Sequence, residues 1–264
     1  MNSTADSAII AKLLAGNFIE RRDVKAIQLP NGDYQPHRTG PQPNYQDRPL
    51  IPFDLQALTA HVDGTQTFGH YLVKPEVDTA RCFVLDIDLN KVSRYHDPDL
   101  NMDAEIDPRE VWAGPTTTVK RDLAIQLMVM ASGLAFRASK LIGCKVIVAY
   151  SGNKGMHVIG CFDPGTPAEV VRSAGLLVLD STKSFEPLRG NNFFKHTVGF
   201  PSLDVEVFPK QGEVKADGYG NLVRLPLGIN RKSGKKGFFL RLDVEYDKFV
   251  LDDPIVVLEK GSVR

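Results

Sequence analysis

The segment FVLDIDLN (residues 83–90) constrains this chain more than any other. In an extended strand, alternate side chains point to opposite faces. Phe83, Leu85, Ile87 and Leu89 then form one apolar face, and Asp86 and Asp88 share the other. Carboxylates two positions apart on one face lie about 6–7 Å from each other. Partly desolvated at that distance they repel, and one pKa rises unless a cation compensates. Hard divalent ions, Mg2+ or Mn2+, take oxygen ligands and are the natural compensators. The plain alternative is an edge strand with a solvated acidic face.

Three later segments bear on that choice. In SLDVEVF (residues 202–208), Leu203, Val205 and Val207 face one way while Asp204 and Glu206 share the other. A second strand of this kind brings a third carboxylate within reach of the same ions, although surface strands often alternate so. In YSGNKGMHV (residues 150–158), Gly152 and Gly155 let backbone N–H groups approach an anion closely. Ser151 and Lys154 add donors, and His157 opens the next strand. That set suits a triphosphate, although an ordinary hairpin with a surface lysine has the same composition. It is not a Walker A loop, since GxxxxGK[ST] occurs nowhere in the chain. In GNLVRLPLGINRKSGKKG (residues 220–237), Arg224 lies within an apolar strand and needs an acid or a phosphate as partner. Arg231, Lys232, Lys235 and Lys236 on a hairpin loop suit a nucleic-acid backbone, or else form a solvated basic turn.

Net charge is zero, with 32 basic and 32 acidic residues, which alone argues against a nucleic-acid protein. The distribution argues otherwise: residues 84–110 are mostly acidic and residues 208–241 mostly basic. A polarised chain can bind a polyanion locally while its sum cancels. Cys82, Cys144 and Cys161 lie far apart without a CxxC pair, so neither zinc nor a disulfide framework is expected. Buried free thiols point to a reducing compartment, the cytoplasm. The polar N-terminus lacks a secretory signal, and no apolar run reaches the roughly 20 residues of a membrane helix.

Apolar spacing predicts helices over residues 5–19, a short one in PFDLQALTAHVDG ending at Gly64, and a long one over residues 119–142 stopped by Gly143. Thr166, Pro167 and Glu169 have the form of a capping box with proline at the first helical position, for a helix running towards Ser184. DVKAIQL, TFGHYLV, ARCFVLDIDL, CKVIVAY, MHVIGCF, SLDVEVF, NLVRLPLGI and GFFLRLDV read as strands, with TFGHYLV and ARCFVLDIDL a plausible pair. Residues 93–112 read as one long acidic loop. Elements mix without a regular βαβ period, which predicts an α+β fold with a largely antiparallel sheet.

The order of the parts adds what no single part carries. A strand DxD, a Ser–Gly turn ending in histidine, and a later acid on a strand resemble the three motifs of the archaeo-eukaryotic primase superfamily: hhhDxD, sxH, and an acid after hydrophobics. Here they are FVLDID, SGNKGMH and LDVEVF. ERRDVKA, HVDGTQTFGHYLV, EVFPKQ and GNLVRLPLGINRKSGKKG are similar to segments of its bacterial, plasmid and phage primase-polymerase branch. The family's third motif usually carries aspartate. Glu206 lies in the family-like EVFPKQ, and Asp204 is the alternative.

The resemblance implies one catalytic domain over residues 1–264, with an N-terminal α/β module over 1–80 and an RRM-like antiparallel palm packed with helices over 81–264. It implies a DNA primase/polymerase that makes or extends primers on single-stranded DNA in replication. Asp86, Asp88 and Glu206 would hold two Mg2+ or Mn2+ ions, with His157 at the same centre. Ser151, Gly152, Lys154, His157, Arg224 and Arg231 would hold the nucleoside triphosphate. Expected partners are template, primer and nucleotides, with a helicase in the same replicon or on a longer parent chain, and no membrane. The expected location is the cytoplasm of a bacterial host or phage-infected cell. The alternatives are a nucleotide-sugar glycosyltransferase, whose DxD also holds a metal on a diphosphate, and a non-catalytic nucleic-acid-binding module.

Overall fold

The computed structural model describes residues 4–40, 45–90, 94–97, 102–105, 107–112, 117–200, 202–243 and 248–264. With strands numbered along the chain, the large sheet runs in the order β11 (Phe185–Arg189), β12 (Phe193–His196), β13 (Leu203–Phe208), β6 (Cys82–Leu89), β10 (Gly155–Cys161), β9 (Lys145–Tyr150), β15 (Phe238–Asp243) and β16 (Lys248–Leu251). Every pairing in it is antiparallel. The smaller antiparallel sheet runs β14 (Leu222–Arg224), β3 (Phe68–Tyr71), β1 (Ala26–Gln28) and β2 (Tyr34–Pro36). Two further hairpins pair β4 (Val73–Lys74) with β5 (Thr79–Ala80), and β7 (Arg94–Asp97) with β8 (Met102–Glu105). The fold is α+β, as the mixture of patterns predicts.

The strand β6 lies at the centre, with one face buried along its length and the other buried as far as Val84. Phe83, Leu85, Ile87 and Leu89 pack under α3 (Thr118–Arg137) and α4 (Ala168–Asp180), with Leu123, Leu127, Leu134, Val171 and Val178. Full burial of each such side chain contributes about 1.5–3 kcal/mol. Cys82 and Val84 point the other way. They join a second core with Ile10, Leu14 and Phe18 of α1 (Thr4–Phe18), Leu58 of α2 (Leu55–Val62) and Leu258 of α5 (Pro254–Lys260). The acid-bearing face is thus apolar as far as Val84 and turns polar only at Asp86. The three cysteines are free thiols, two of them buried.

Local chemistry sets the helix limits. The Asp54 carboxylate caps α2 by accepting the Ala57 N–H at 2.7 Å. Beyond its C-terminal end, the Val62 and Gly64 carbonyls accept hydrogen bonds from Lys236 and Arg231, both at 2.9 Å. Thr117 caps α3, which ends in a π turn over Ala138–Ile142 and stops at Gly143 with φ +70°. Over Thr118–Ile142 this helix is long and apolar enough to cross a membrane by length and composition, which run lengths in the sequence did not foresee.

Several sequence expectations need correction. TFGHYLV and ARCFVLDIDL do not pair: β3 belongs to the small sheet, while β6 sits between β13 and β10. The α4 helix begins at Ala168 with Pro167 as its uncapped N-cap and ends at Asp180; the Thr166 hydroxyl donates instead to the Asp163 carbonyl. The acidic tract holds the β7–β8 hairpin and a 3-10 turn at Pro108–Glu110. NLVRLPLGI and GFFLRLDV contribute to different sheets, although an Ile229–Lys236 bridge closes the basic turn between them. The small sheet takes β1 to β3 from the first 80 residues and β14 from beyond residue 220, so the chain returns to its N-terminal part late.

Candidate functional site

Antiparallel register across three neighbouring strands assembles two rows of side chains. In the first, His157 on β10, Asp86 on β6 and Glu206 on β13 are successive cross-strand partners. In the second, Gly155, Asp88 and Asp204 are. Directly opposed residues have Cβ atoms about 4.5–5.5 Å apart and share a face. Four carboxylates and one imidazole therefore crowd one patch of sheet. Gly155 makes the space: a Cβ there would come within 2.2 Å of both an Asp88 carboxylate oxygen and the Ile87 carbonyl.

Three of the four acids have a basic side chain beside them. His157 Nε2 lies 3.3 Å from Asp86 Oδ1, and Lys154 Nζ lies 2.7 Å from Asp88 Oδ2 and 3.1 Å from the Leu89 carbonyl. Lys210 pairs with Glu206. Burial pushes the Asp86 carboxyl up, but the charge and hydrogen bond of His157 outweigh it and hold the group below its ordinary value. Burial, then the neighbouring Asp86 charge, raise Asp88 to about 6 against the pull of Lys154. Burial also raises Asp204, against the Lys154 charge and a hydrogen bond with Asn90. The repulsion expected from the DxD spacing is thus concentrated on Asp88.

A cleft of about 210 Å³ opens over this face, lined among others by Asp86, Asp88, Ser151, His157, Tyr34 and Arg224. Arg224 comes from β14 of the small sheet, so the cleft lies between the two sheets. Among the described residues its guanidinium makes no hydrogen bond or ion pair, while its charge bears on Asp86 and Tyr34. The Tyr34 hydroxyl and Asn153 Oδ1 are buried without hydrogen-bond partners, and both line the cleft. Unpaired buried polar atoms cost about 1–3 kcal/mol each. A polar ligand that satisfied them would recover that cost.

The turn between β9 and β10 is fixed from both sides. Gly152 has φ +74°, and a Cβ there would lie 3.0 Å from the Lys235 carbonyl. The Ser233 hydroxyl donates to the Gly152 carbonyl, and the Gly155 N–H donates to Ser151 Oγ at 3.3 Å. The basic turn therefore docks on the SGNK turn. Arg231 does not line the cleft: its guanidinium is held by the Gly64 carbonyl. Glu206 and Asp204 share the sheet face without lining the cleft. Sequence reasoning missed Tyr34, Gln28, Asn153, Phe208 and Asn230, which line it. Asn153 lies inside the SGNK motif itself. Tyr34 and Gln28 carried no signal, because only the small sheet's pairing brings β1 and β2 to this place.

The donor set fits a hard divalent ion in its chemistry. Carboxylate oxygens from adjacent strands converge on one face, and Gly155 leaves the space that a side chain would fill. As the side chains stand, no three His, Cys, Asp or Glu groups among the described residues meet closely enough to hold an ion. Lys154 and Lys210 occupy two of the carboxylates instead.

No curated protein matches the chain. Among solved structures, the polymerase domain from Mycobacterium tuberculosis Ligase D in complex with DNA aligns at 12% identity over 99% of this chain and 83% of that one, with a TM-score of 0.37. That superposition is too loose to carry an argument. The family described as the archaeo-eukaryotic primase domain of the TOTE conflict system matches residues 13–259, nearly the whole length. The chain belongs to that family.

Proposed function

We propose that this chain is a primase-polymerase, transferring nucleotides to a 3′-hydroxyl under the direction of a DNA template. The observation that carries the reading is the pair of in-register rows under an arginine-bearing cleft, in a member of a primase family. Asp86 and Asp88, with Glu206 or Asp204, would hold two Mg2+ or Mn2+ ions. Bound there, such ions would lower the pKa of the attacking hydroxyl and neutralise charge on the reacting phosphates.

The remaining work falls to the chain's own residues. Arg224 is the unpaired cation of the cleft and would take a triphosphate oxygen. Ser151 and Gly152 shape the turn beside it. His157 orients Asp86 by its hydrogen bond, and Lys154, now paired with Asp88, would be free to meet a phosphate if Asp88 held an ion. Positioning and charge neutralisation supply the rate, with little proton chemistry asked of the protein.

The glycosyltransferase alternative calls for a parallel nucleotide-binding sheet before the DxD, and the sheet around β6 is antiparallel. A replication setting and a helicase partner rest on the resemblance alone; the family is described from conflict systems. We place the reaction in the cytoplasm, on the reading of the free thiols. The test is gel analysis of products from primed and unprimed single-stranded DNA, with Mn2+ and either ribo- or deoxyribonucleotides. Template-dependent elongation supports the proposal. No product with either nucleotide set, together with no Mn2+ binding by calorimetry, would leave a non-catalytic nucleic-acid module.

A further inference from the structure

Of the thirteen large apolar side chains exposed among the described residues, six lie on α3, its π turn and α4: Ile125, Val129, Phe136, Leu141, Val170 and Leu177. These helices cover the side of the large sheet opposite the carboxylates. Along α3 the exposed residues Asp122, Ile125, Val129, Gly133, Phe136 and Lys140 recur every three or four positions, which makes one stripe. Lys140 keeps to that stripe through the π turn, its ammonium 5.6 Å from the Phe136 ring centre. Gly133 is exposed in the middle of the stripe, and a Cβ added there would meet nothing within 4 Å. A glycine inside a helix costs about 1 kcal/mol relative to alanine. Among the described residues, none packs within 4 Å of the place a Cβ would take there.

We propose that this face is a homodimer interface in which α3 packs antiparallel on α3 of a second copy, about a two-fold axis at the level of residue 131. An isologous contact requires a surface complementary to itself, and this stripe is. Positions equally far from residue 131 face each other across such an axis. Val129 of each copy then enters the notch at Gly133 of the other, Phe136 faces Gln126 with Ile125 beside it, and the exposed Arg137 lies opposite Ile125. Asp122 meets Lys140 at both ends of the contact, so the charges complement each other. A parallel pairing would set Asp122 against Asp122. Val170 and Leu177 on α4 extend the apolar area beside the crossing. Both acid rows face away from the contact, so each copy keeps its cleft open.

The test is sedimentation equilibrium of the purified chain from about 1 to 100 µM. The expected wild-type species at the upper end has twice the 29.2 kDa of one chain. Asp122→Lys and Lys140→Asp each place like charges at both ends, and each should weaken self-association about tenfold or more. Mixed in equal amounts, these two variants should dimerise again, because each then supplies the charge the other lacks. Gly133→Leu should be monomeric with an unchanged or higher thermal midpoint, since a Cβ there meets nothing within 4 Å and leucine favours the helix more than glycine does. A wild type that stays monomeric throughout would overturn the proposal. So would single charge variants that dimerise as the wild type does, or a mixture that fails to restore the dimer. Monomers that instead sediment with mixed phosphatidylcholine and phosphatidylglycerol vesicles would assign the face to a membrane.

Discussion

At Gly155 the absence of a side chain sets the geometry of the site. The carboxylate of Asp88 occupies the volume a Cβ would need, and the Ile87 carbonyl closes it from behind. Backbone cannot step aside as a flexible side chain does. Gly155→Ala is expected to lower the thermal midpoint by about 5 °C or more, on the order of 2 kcal/mol for a chain of this size. An unchanged midpoint in a circular-dichroism melt would show that the Asp88 carboxylate is not held there. Arg224 is the complementary case, a cation whose guanidinium makes no hydrogen bond or ion pair among the described residues. Arg224→Met should leave the midpoint within a degree or two and weaken nucleoside triphosphate binding about tenfold or more by calorimetry. Unaltered affinity would remove Arg224 from the site. The two aspartates were legible because strand alternation sorts them from Phe83, Leu85, Ile87 and Leu89. Their cations were not, because Lys154 reads as well for a phosphate as for Asp88.

At the scale of elements, the basic turn divides into two uses that sequence presents as one. Arg231 and Lys236 donate to the Gly64 and Val62 carbonyls and so finish α2. Lys232 is exposed, and among the described residues the Lys235 ammonium reaches the Arg109 carbonyl alone, at 3.4 Å. Replacing Arg231 and Lys236 together by alanine should cost roughly 1–2 kcal/mol in a thermal melt, as expected for losing C-terminal cations and their hydrogen bonds. Replacing Lys232 and Lys235 should spare stability and reduce the salt dependence of single-stranded DNA binding, with a slope smaller by roughly 1.4 for two phosphate contacts. Equal effects of the two pairs on both readouts would contradict the division. Element identity was mostly legible from periodicity, whereas partners were not. Nothing local in TFGHYLV distinguishes pairing with ARCFVLDIDL from pairing with β1 and β14, and the choice rests on contacts far along the chain.

For the molecule as a whole, two buried histidines stand between the sheets and helices. His61 donates from Nε2 to the Pro226 carbonyl at 2.9 Å and accepts the Phe68 N–H at Nδ1, so it is held neutral. Burial lowers both His61 and His70 to about 4, against the carbonyls of Pro226 and Phe18. Unfolded, each titrates near 6.5. Below that pH the unfolded chain takes protons the folded chain refuses, so stability is full above about 6.5 and is lost as pH falls towards 4. Each ring contributes on the order of 3 kcal/mol to the loss. Asp88, raised to about 6, and Asp204, also raised by burial, act in the opposite sense as pH falls, but burial lowers His37 and His196 as well, so the lowered imidazoles outnumber the raised carboxyls. The urea midpoint should therefore be lower at pH 4.5 than at pH 7, and an equal or higher midpoint would contradict neutral buried imidazoles. The α+β class and the family could be read before any coordinates, from an ordered set of motifs spread along the chain. The cleft could not, since it exists only where β14 returns to the small sheet and brings Arg224 over Asp86.

The carboxylate face of β6 is the proposed seat of nucleotidyl transfer. Primer extension on a primed single-stranded DNA template with Mn2+ tests it most directly, comparing wild type with Asp86→Asn/Asp88→Asn. These amides keep the shape of the strand and remove its charge. The predicted result is template-dependent extension by the wild type and a loss of about a thousandfold or more in a variant whose thermal midpoint stays near that of the wild type. Extension by the folded double variant at the wild-type rate would remove nucleotidyl transfer from this face.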